Sequence, residues 1–137
     1  MGIFDIFKGK EAKLVVTGIP YKINTFFVPV RLRAYKKDSV DIHIKIKNLQ
    51  EEALLTSAII EVPKSLGVDE TGISKMKENR IGFLGPREEK EIIFSIWSNV
   101  STEPGEYNCS ISVYCHYRTY SYVQNSVKVR DILRVVE

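Results

Sequence analysis

The sequence has little histidine and cysteine, two residue types on which much enzyme chemistry depends. Its 137 residues include two cysteines, two histidines and eight glycines. Neither His43 nor His116 belongs to a metal-binding pattern such as His-x-x-x-His, and the alternation around them puts both on the polar faces of strands. No Gly-x-Ser-x-Gly nucleophile motif and no glycine-rich phosphate loop occurs. We therefore predict a protein that is not an enzyme and that holds no metal and no cofactor.

Long apolar runs and an excess of one charge are also missing. No stretch approaches the ~18 apolar residues that a membrane-spanning helix needs. The 20 basic and 17 acidic side chains leave a net charge of +3, so whole-molecule attraction to nucleic acid is weak. The first residues carry no cationic leader ahead of their apolar side chains, as a secretory signal would. These features predict an intracellular, cytoplasmic protein without a transmembrane segment.

The two cysteines lie in one run of alternating residues, 106–117. Cys109 and Cys115 are six residues apart in this predicted strand, which separates their Cα atoms by about 20 Å, whereas a disulfide needs them within about 7 Å. They cannot bridge to each other. We predict two reduced thiols that are at least partly buried.

Apolar and polar residues alternate from residue 13 onward, which is the pattern of half-buried β-strands. In residues 40–47, every second side chain is valine or isoleucine. The other predicted strands are residues 13–19, 28–32, 54–62, 81–83, 92–96, 107–115 and 120–136. Helical patterns are confined to the first twelve residues and a weak stretch at 70–79. The sequence therefore predicts an all-β, antiparallel sandwich of seven or eight strands.

The domain organisation follows from where the alternation begins. A short amphipathic segment, residues 1–12, precedes one sandwich domain, residues 13–137. The connection at 64–80 is long for a compact domain, and such loops are usually mobile or functional.

Two motifs resemble those of known sandwich domains. The run Gly105-Glu106-Tyr107-Asn108-Cys109 is similar to the Gly-x-Tyr-x-Cys tyrosine corner of immunoglobulin-like sandwiches. This resemblance implies that the Tyr107 hydroxyl bonds to the backbone a few residues upstream. Residues 81–92 resemble the Gly-x-Leu-x-Pro-Gly-Glu approach to a core strand in CARDB-like and related archaeal and bacterial adhesion-type domains, with Arg87 in place of the usual glycine.

The likeness covers residues 26–130 and includes Asn48, which follows the predicted strand at 40–47. It implies an immunoglobulin-like β-sandwich from a prokaryote. The strand at 40–46 carries no cysteine, so the inter-sheet disulfide of antibody domains is absent. The architecture serves many unrelated functions, so function must be argued from sites.

The first candidate contact surface is the N-terminal segment. On a helix, Ile3, Phe4, Ile6 and Phe7 fall within an arc of about 160°. Such a short helix is unstable alone in water and needs a surface to lie on. That surface is the sandwich itself or a second copy, another protein, or a membrane that residues 1–10 contact peripherally.

The second candidate is the C-terminal run, residues 120–136. Fully extended it reaches about 55 Å, which exceeds the height of most sandwiches. The consecutive Ile132 and Leu133 interrupt the alternation, so we predict a bulge or kink near Asp131 and an exposed edge that associates with a second copy or a partner. In the alternative, the edge is merely protected by its positive charges.

The third candidate combines cations and aromatic rings. Its members are Arg31, Arg33, Tyr117, Arg118, Tyr120 and Tyr122. Such a set stacks sugars or bases, or else the tyrosines simply cover the sheet. We predict a non-catalytic protein-interaction or scaffold domain. The alternative is a carbohydrate- or single-stranded nucleic-acid-binding module that uses the tyrosine-rich hairpin.

Overall fold

The computed structural model describes residues 19–137 and folds them into eight strands without a helix. The strands are β1 (Tyr21–Val28), β2 (Arg31–Arg33), β3 (Ser39–Asn48), β4 (Leu54–Glu61), β5 (Met76–Leu84), β6 (Glu89–Trp97), β7 (Gly105–His116) and β8 (Val123–Val136). One sheet has the order β1-β3-β6 and the other β2-β8-β7-β4-β5. All pairs are antiparallel except β2 with β8. The predicted all-β immunoglobulin-like sandwich is confirmed.

The core lies between the sheets, where the alternating apolar side chains face one another. Strand β3 contributes side chains that are at most 1% exposed, namely Val40, Ile42, Ile44 and Ile46. Strand β7 contributes Cys109, Ile111, Val113 and Cys115 from the opposite sheet. These two strands show the clearest alternation in the sequence, and each buries the face that the alternation predicts.

Both cysteines are free and buried, as predicted. Desolvation, with a smaller contribution from the nearby Asp131 carboxylate, raises the pKa of the Cys109 thiol to about 12. Burial also raises the pKa of Cys115 above its ordinary value. Both groups are therefore protonated, apolar members of the core at neutral pH.

The tyrosine corner is present. The Tyr107 hydroxyl donates a hydrogen bond of 2.7 Å to the carbonyl of Glu103, four residues upstream. This bond fixes the chain where it enters β7, and it confirms the role that the resemblance implied.

Asn48 ties the end of β3 to the opposite sheet. Its fully buried amide donates to the carbonyls of Glu52, Leu84 and Gly85 at 2.8–3.0 Å. Its side-chain oxygen accepts from the backbone N–H of Gln50. The residue therefore anchors the approach to β6 that resembles CARDB-like domains.

Strand β1 was not predicted, and the run at 28–32 is not one strand. Strand β1 ends at Val28, a cis peptide joins Val28 to Pro29, and β2 starts in the other sheet. The inward side chains of β1 include Thr25, which breaks the apolar pattern. Its hydroxyl donates to the Asp131 carboxylate at 2.6 Å, so this polar position is satisfied between the sheets.

The weak helical pattern at 70–79 does not produce a helix, because its last residues belong to β5. The preceding turn is closed by the Asp69 carboxylate, which accepts from the Thr71 hydroxyl and the Gly72 N–H. Residues 62–75 form a loop against the sandwich, with Leu66 and Val68 buried and the Lys75 ammonium donating to two loop carbonyls.

The two histidines lie on the outer faces of different sheets. His43 is partly exposed and stacks on Phe26 with ring centroids 4.7 Å apart. His116 is only 7% exposed, so its predicted place in solvent is wrong. The Tyr120 ring lies edge-on against it, at a centroid distance of 5.0 Å.

Candidate interaction site

One side of the C-terminal strand is largely unpaired within residues 19–137. Strand β8 is 14 residues long and pairs with β7 over most of its length. On its other side, β2 covers only residues 134–136. Among residues 19–137, no strand pairs with residues 123–133 on that side.

Three hydrogen bonds show which backbone groups point to this open side. The Ser126 N–H donates a hydrogen bond to the side-chain oxygen of Asn125, and the Ile132 N–H donates one to the Asp131 carboxylate. At the far end, the carbonyl of Val136 accepts from the Ala34 N–H beside β2. The N–H and C=O groups of successive residues in a strand point to alternate sides. In β8, the backbone N–H and C=O groups of the even-numbered residues therefore point away from β7.

The N–H groups of Lys128 and Arg130 therefore point away from β7. No backbone hydrogen bond among residues 19–137 joins either group to a neighbouring strand on that side. We call residues 126–130 the free edge.

The two faces of the free edge differ in chemistry. Lys128 and Arg130 are exposed on the outer face, beside the small side chains of Ser112 and Ser110 on β7. Val127 and Val129 point inward, and both are half-buried against the core. A strand lying here would therefore meet cations on one face and apolar side chains on the other.

The two predicted contact residues of β8 have different environments. Ile132 is 55% exposed on the outer face, whereas Leu133 is 0% exposed in the core. The prediction that both are exposed is wrong for Leu133. The bulge predicted near Asp131 is also wrong, because the register with β7 is regular there and shifts only between Cys115 and His116. Consecutive apolar residues simply occupy opposite faces of one strand.

Arg31 and Arg33 extend the charge of the free edge. They are exposed on β2, level with Arg134 and Val136 of β8. We call the following outer-face cations the basic stripe: Lys128, Arg130, Arg134, Arg31 and Arg33. Arg134 pairs with Glu106 at 2.9 Å. The ion pairs found within residues 19–137 include none of the other four.

The hairpin tyrosines lie far from these arginines. Tyr117, Arg118, Tyr120 and Tyr122 are in or beside the β7–β8 turn, whereas Arg31 is level with Arg134. Eleven strand residues separate the two places, or about 36 Å. The predicted combination of Arg31 and Arg33 with the hairpin is therefore not one site.

Two of the hairpin rings already have cationic neighbours. The Arg80 guanidinium lies 4.8 Å from the Tyr120 ring centroid, and that of Arg118 lies 5.0 Å from Tyr117. Tyr122 is 66% exposed. A sugar or base that stacked on the covered face of Tyr117 or Tyr120 would have to displace the arginine there.

A shallow cleft beside the hairpin was not predicted. It has a volume of about 320 Å³ and is lined by Ser57, Ile59, Glu78, Tyr114, His116, Tyr120 and Val123. Ser57 Oγ lies 2.7 Å from His116 Nε2, but Ser57 is only 1% exposed. His116 Nδ1 has no hydrogen-bond partner within the described part of the chain. Because Ser57 is buried under neighbouring side chains, its hydroxyl is poorly placed to attack a substrate.

The N-terminal candidate contacts, Ile3, Phe4, Ile6 and Phe7, lie outside the described residues, as do segment 1–12 and most of the predicted strand at 13–19.

On the outer face of the three-stranded sheet, a group of apolar side chains is about half exposed. It comprises Phe26, Val28 and Ile93.

Residues 19–137 contain neither a cluster of metal ligands nor a membrane-spanning helix. No three side chains among histidine, cysteine, aspartate and glutamate cluster there in a way that could hold a metal ion. The same residues contain no helix that could cross a membrane.

No protein-family model and no curated protein matches the sequence. Solved structures do share its fold. The alkylpurine DNA glycosylase AlkC of Pseudomonas fluorescens, bound to DNA with an abasic-site analogue, matches 89% of this chain at 12% identity and a TM-score of 0.52. The match spans 32% of the glycosylase chain. The fold is that of an immunoglobulin-like β-sandwich.

Two smaller proteins match over nearly their whole length. A FixG-related protein from Vibrio parahaemolyticus has 8% identity and a TM-score of 0.50, covering 85% of this chain and 97% of that one. The CARDB domain of a Pyrococcus furiosus protein, solved with two metal ions, has 19% identity and a TM-score of 0.49 over 85% and 94%. At these identities the matches concern the fold alone.

Proposed function

We propose that this chain is a non-catalytic interaction domain that binds a partner protein by adding a partner strand to the free edge of β8. The observation that carries the proposal is the pair of outward N–H groups at Lys128 and Arg130. Strand addition supplies a hydrogen-bond partner for each such group. Each bond contributes about 1 kcal/mol net, and apolar contacts add to this.

The free edge is held ready for such an addition. Residues 126–130 pair in regular register with β7, whose other side pairs with β4. A partner strand would therefore dock on a fixed template and would lose little binding energy to ordering it. The side chains of Asn125 and Asp131 accept hydrogen bonds from the N–H groups of Ser126 and Ile132, which lie on either side of Lys128 and Arg130. The N–H groups open to a partner are therefore limited to a short segment.

The tyrosine-rich hairpin supports its alternative function less well. About 36 Å separates the aromatic rings from the β2 arginines, Arg31 and Arg33. The stacked positions of Arg80 and Arg118 occupy two of the ring faces. We therefore favour a protein strand over a sugar or a nucleic-acid base.

The test compares Lys128→Pro with Lys128→Ala. Both variants lose the same cation, but only proline removes the outward N–H and places its ring in the way of a partner strand. Because this N–H does not bond to β7, both variants are expected to keep the fold, which circular dichroism checks. Photocrosslinking from a reactive residue at position 126, with position 22 on the other sheet as control, identifies the bound protein.

We expect the alanine variant to retain the protein that crosslinks from position 126, and the proline variant to lose it. Equal retention by both variants, or crosslinks from position 22 alone, would contradict strand addition at this edge.

A further inference from the structure

The basic stripe points to the chemistry of the partner strand. We propose that the free edge recognises an extended segment in which acidic and apolar residues alternate. This inference rests on the proposed strand addition and specifies which strands are accepted.

The charge argument begins with the cations of the free edge. Lys128 and Arg130 project on the same face and are both exposed. Their neighbours on β7 are serines, which supply no countercharge. The nearest acidic residue in the same cross-strand row is Glu61, two strands away from Arg130. Glutamate or aspartate directly opposite the two cations would pair with them, whereas lysine there would be repelled.

The apolar argument concerns the other face of the same edge. Val127 and Val129 point toward the core but are only partly covered. Alternate side chains of an added strand would lie over them and remove their remaining surface from water. Side chains of one strand alternate between its faces, so the preferred segment has acids at every second position and apolar residues between them.

The stripe continues beyond the free edge. Arg31 and Arg33 lie along the same side of β8, level with residues 134–136. From Lys128 to the level of Arg33 the stripe is about 26 Å long. Acids that flank the paired segment would meet these arginines, which adds attraction at longer range.

Other occupants fit less well. A second copy of this chain would bring a second set of the same cations onto one sheet face, and like charges there oppose association. A nucleic-acid backbone would pair with the cations, but its phosphate groups carry no donors for the outward carbonyls of Lys128 and Arg130. An acid-rich strand satisfies both the charges and the backbone.

The experiment uses defined peptides and the full chain. The probe is a fluorescein-labelled peptide, Gly-Glu-Val-Glu-Val-Glu-Gly, whose binding is followed by anisotropy at low salt. Three comparison peptides are used. The first has lysine in place of each glutamate, and the second has the same residues in the clustered order Glu-Glu-Glu-Val-Val. The third keeps the alternating sequence but carries N-methyl groups on alternate backbone amides. The protein variants are Lys128→Glu with Arg130→Glu, and a matched control, Lys22→Glu with Lys45→Glu, on the outer face of the other sheet.

We expect the alternating acidic peptide to bind the chain at least about tenfold more tightly than each comparison peptide, a difference of about 1.4 kcal/mol. Reversal of Lys128 and Arg130 should transfer the preference to the lysine peptide, while the control variant keeps it. Lys128→Pro should abolish binding of the acidic peptide, and Lys128→Ala should only weaken it.

The opposing outcomes separate the two proposals. If acidic and lysine peptides bind equally and Lys128→Pro abolishes the binding of both, the edge accepts strands without regard to charge. The proposed acidic preference would then be wrong, while the proposed strand addition would stand. If the N-methylated and clustered acidic peptides bind as well as the alternating one and single-stranded oligonucleotide displaces them, the surface binds polyanions. Both proposals would then fall.

Discussion

Single residues show how far the sequence predicts side-chain environments. Cys109 and Tyr107 were placed correctly because their surroundings depend on one strand and one short motif. The contact of His116 with Ser57 could not be predicted. It depends on the pairing of β4 with β7, which sets Ser57 diagonally beside His116 although 59 residues separate them in the sequence. No local pattern signals which strands pair.

The tyrosine corner gives the first prediction at this scale. Tyr107→Phe removes one hydrogen bond to the Glu103 carbonyl and should lower the free energy of unfolding by about 1 kcal/mol. Urea denaturation measures this change. Tyr122→Phe, at an exposed ring in the hairpin, serves as the control and should change stability by less than about 0.5 kcal/mol. Equal stability of the Tyr107 variant and the wild type would show that the bond contributes nothing.

The buried thiol gives a prediction about alkaline stability. The folded chain keeps Cys109 protonated up to a pKa of about 12, whereas the unfolded chain releases the proton above the ordinary value of 9. Stability from this group is therefore complete below pH 9 and falls above it, by at most about 1.4 kcal/mol per pH unit. Urea denaturation of the wild type and Cys109→Ala between pH 7 and about 11 should show a steeper alkaline loss in the wild type. Parallel curves would contradict the desolvated thiol.

At the scale of elements, predictability followed the strength of the alternation. Strands β3 and β7 were found because each has an uninterrupted apolar face. Strand β1 was missed because Thr25 breaks that face, and its bond to Asp131 exists only in the folded sandwich. The 70–79 stretch has no apolar helical face, and the pairing of β5 with β4 overrides its weak helical pattern.

The candidate edge was predicted in outline. The length of the C-terminal run indicated an exposed edge, and the structure leaves much of that side unpaired among residues 19–137. The burial of Leu133 and the distance between Arg31 and the hairpin could not be predicted, since both depend on which strands lie beside β8.

The N-terminal segment gives a prediction at the same scale. The described strands begin at Tyr21, so deletion of residues 1–10 removes none of them. The truncated chain should keep its β-type circular dichroism and a cooperative thermal transition. It should also bind more weakly to whatever surface Ile3, Phe4, Ile6 and Phe7 cover. An unfolded truncated chain would show that the segment belongs to the core.

For the whole molecule, the two sides of the sandwich differ. On the side of β5 and β6, the 62–75 loop packs against the core, and Gly67 bridges to Trp97. On the side of β1 and β8, β2 closes only one end within residues 19–137, and the Thr25–Asp131 bond joins the sheets nearby. The free edge lies beyond that bond, which is why we assign partner binding to this side.

Residue-resolved amide hydrogen exchange, measured by NMR, tests this central claim most directly. In the chain alone, the amides of Lys128 and Arg130 should exchange much faster than those of Val127 and Val129, which bond to β7. Addition of the crosslinked partner should slow Lys128 and Arg130 and leave the outer face of the three-stranded sheet unchanged. Protection of Lys128 and Arg130 in the chain alone would show that residues 1–18 or a second copy already occupy the edge. That result would contradict the account.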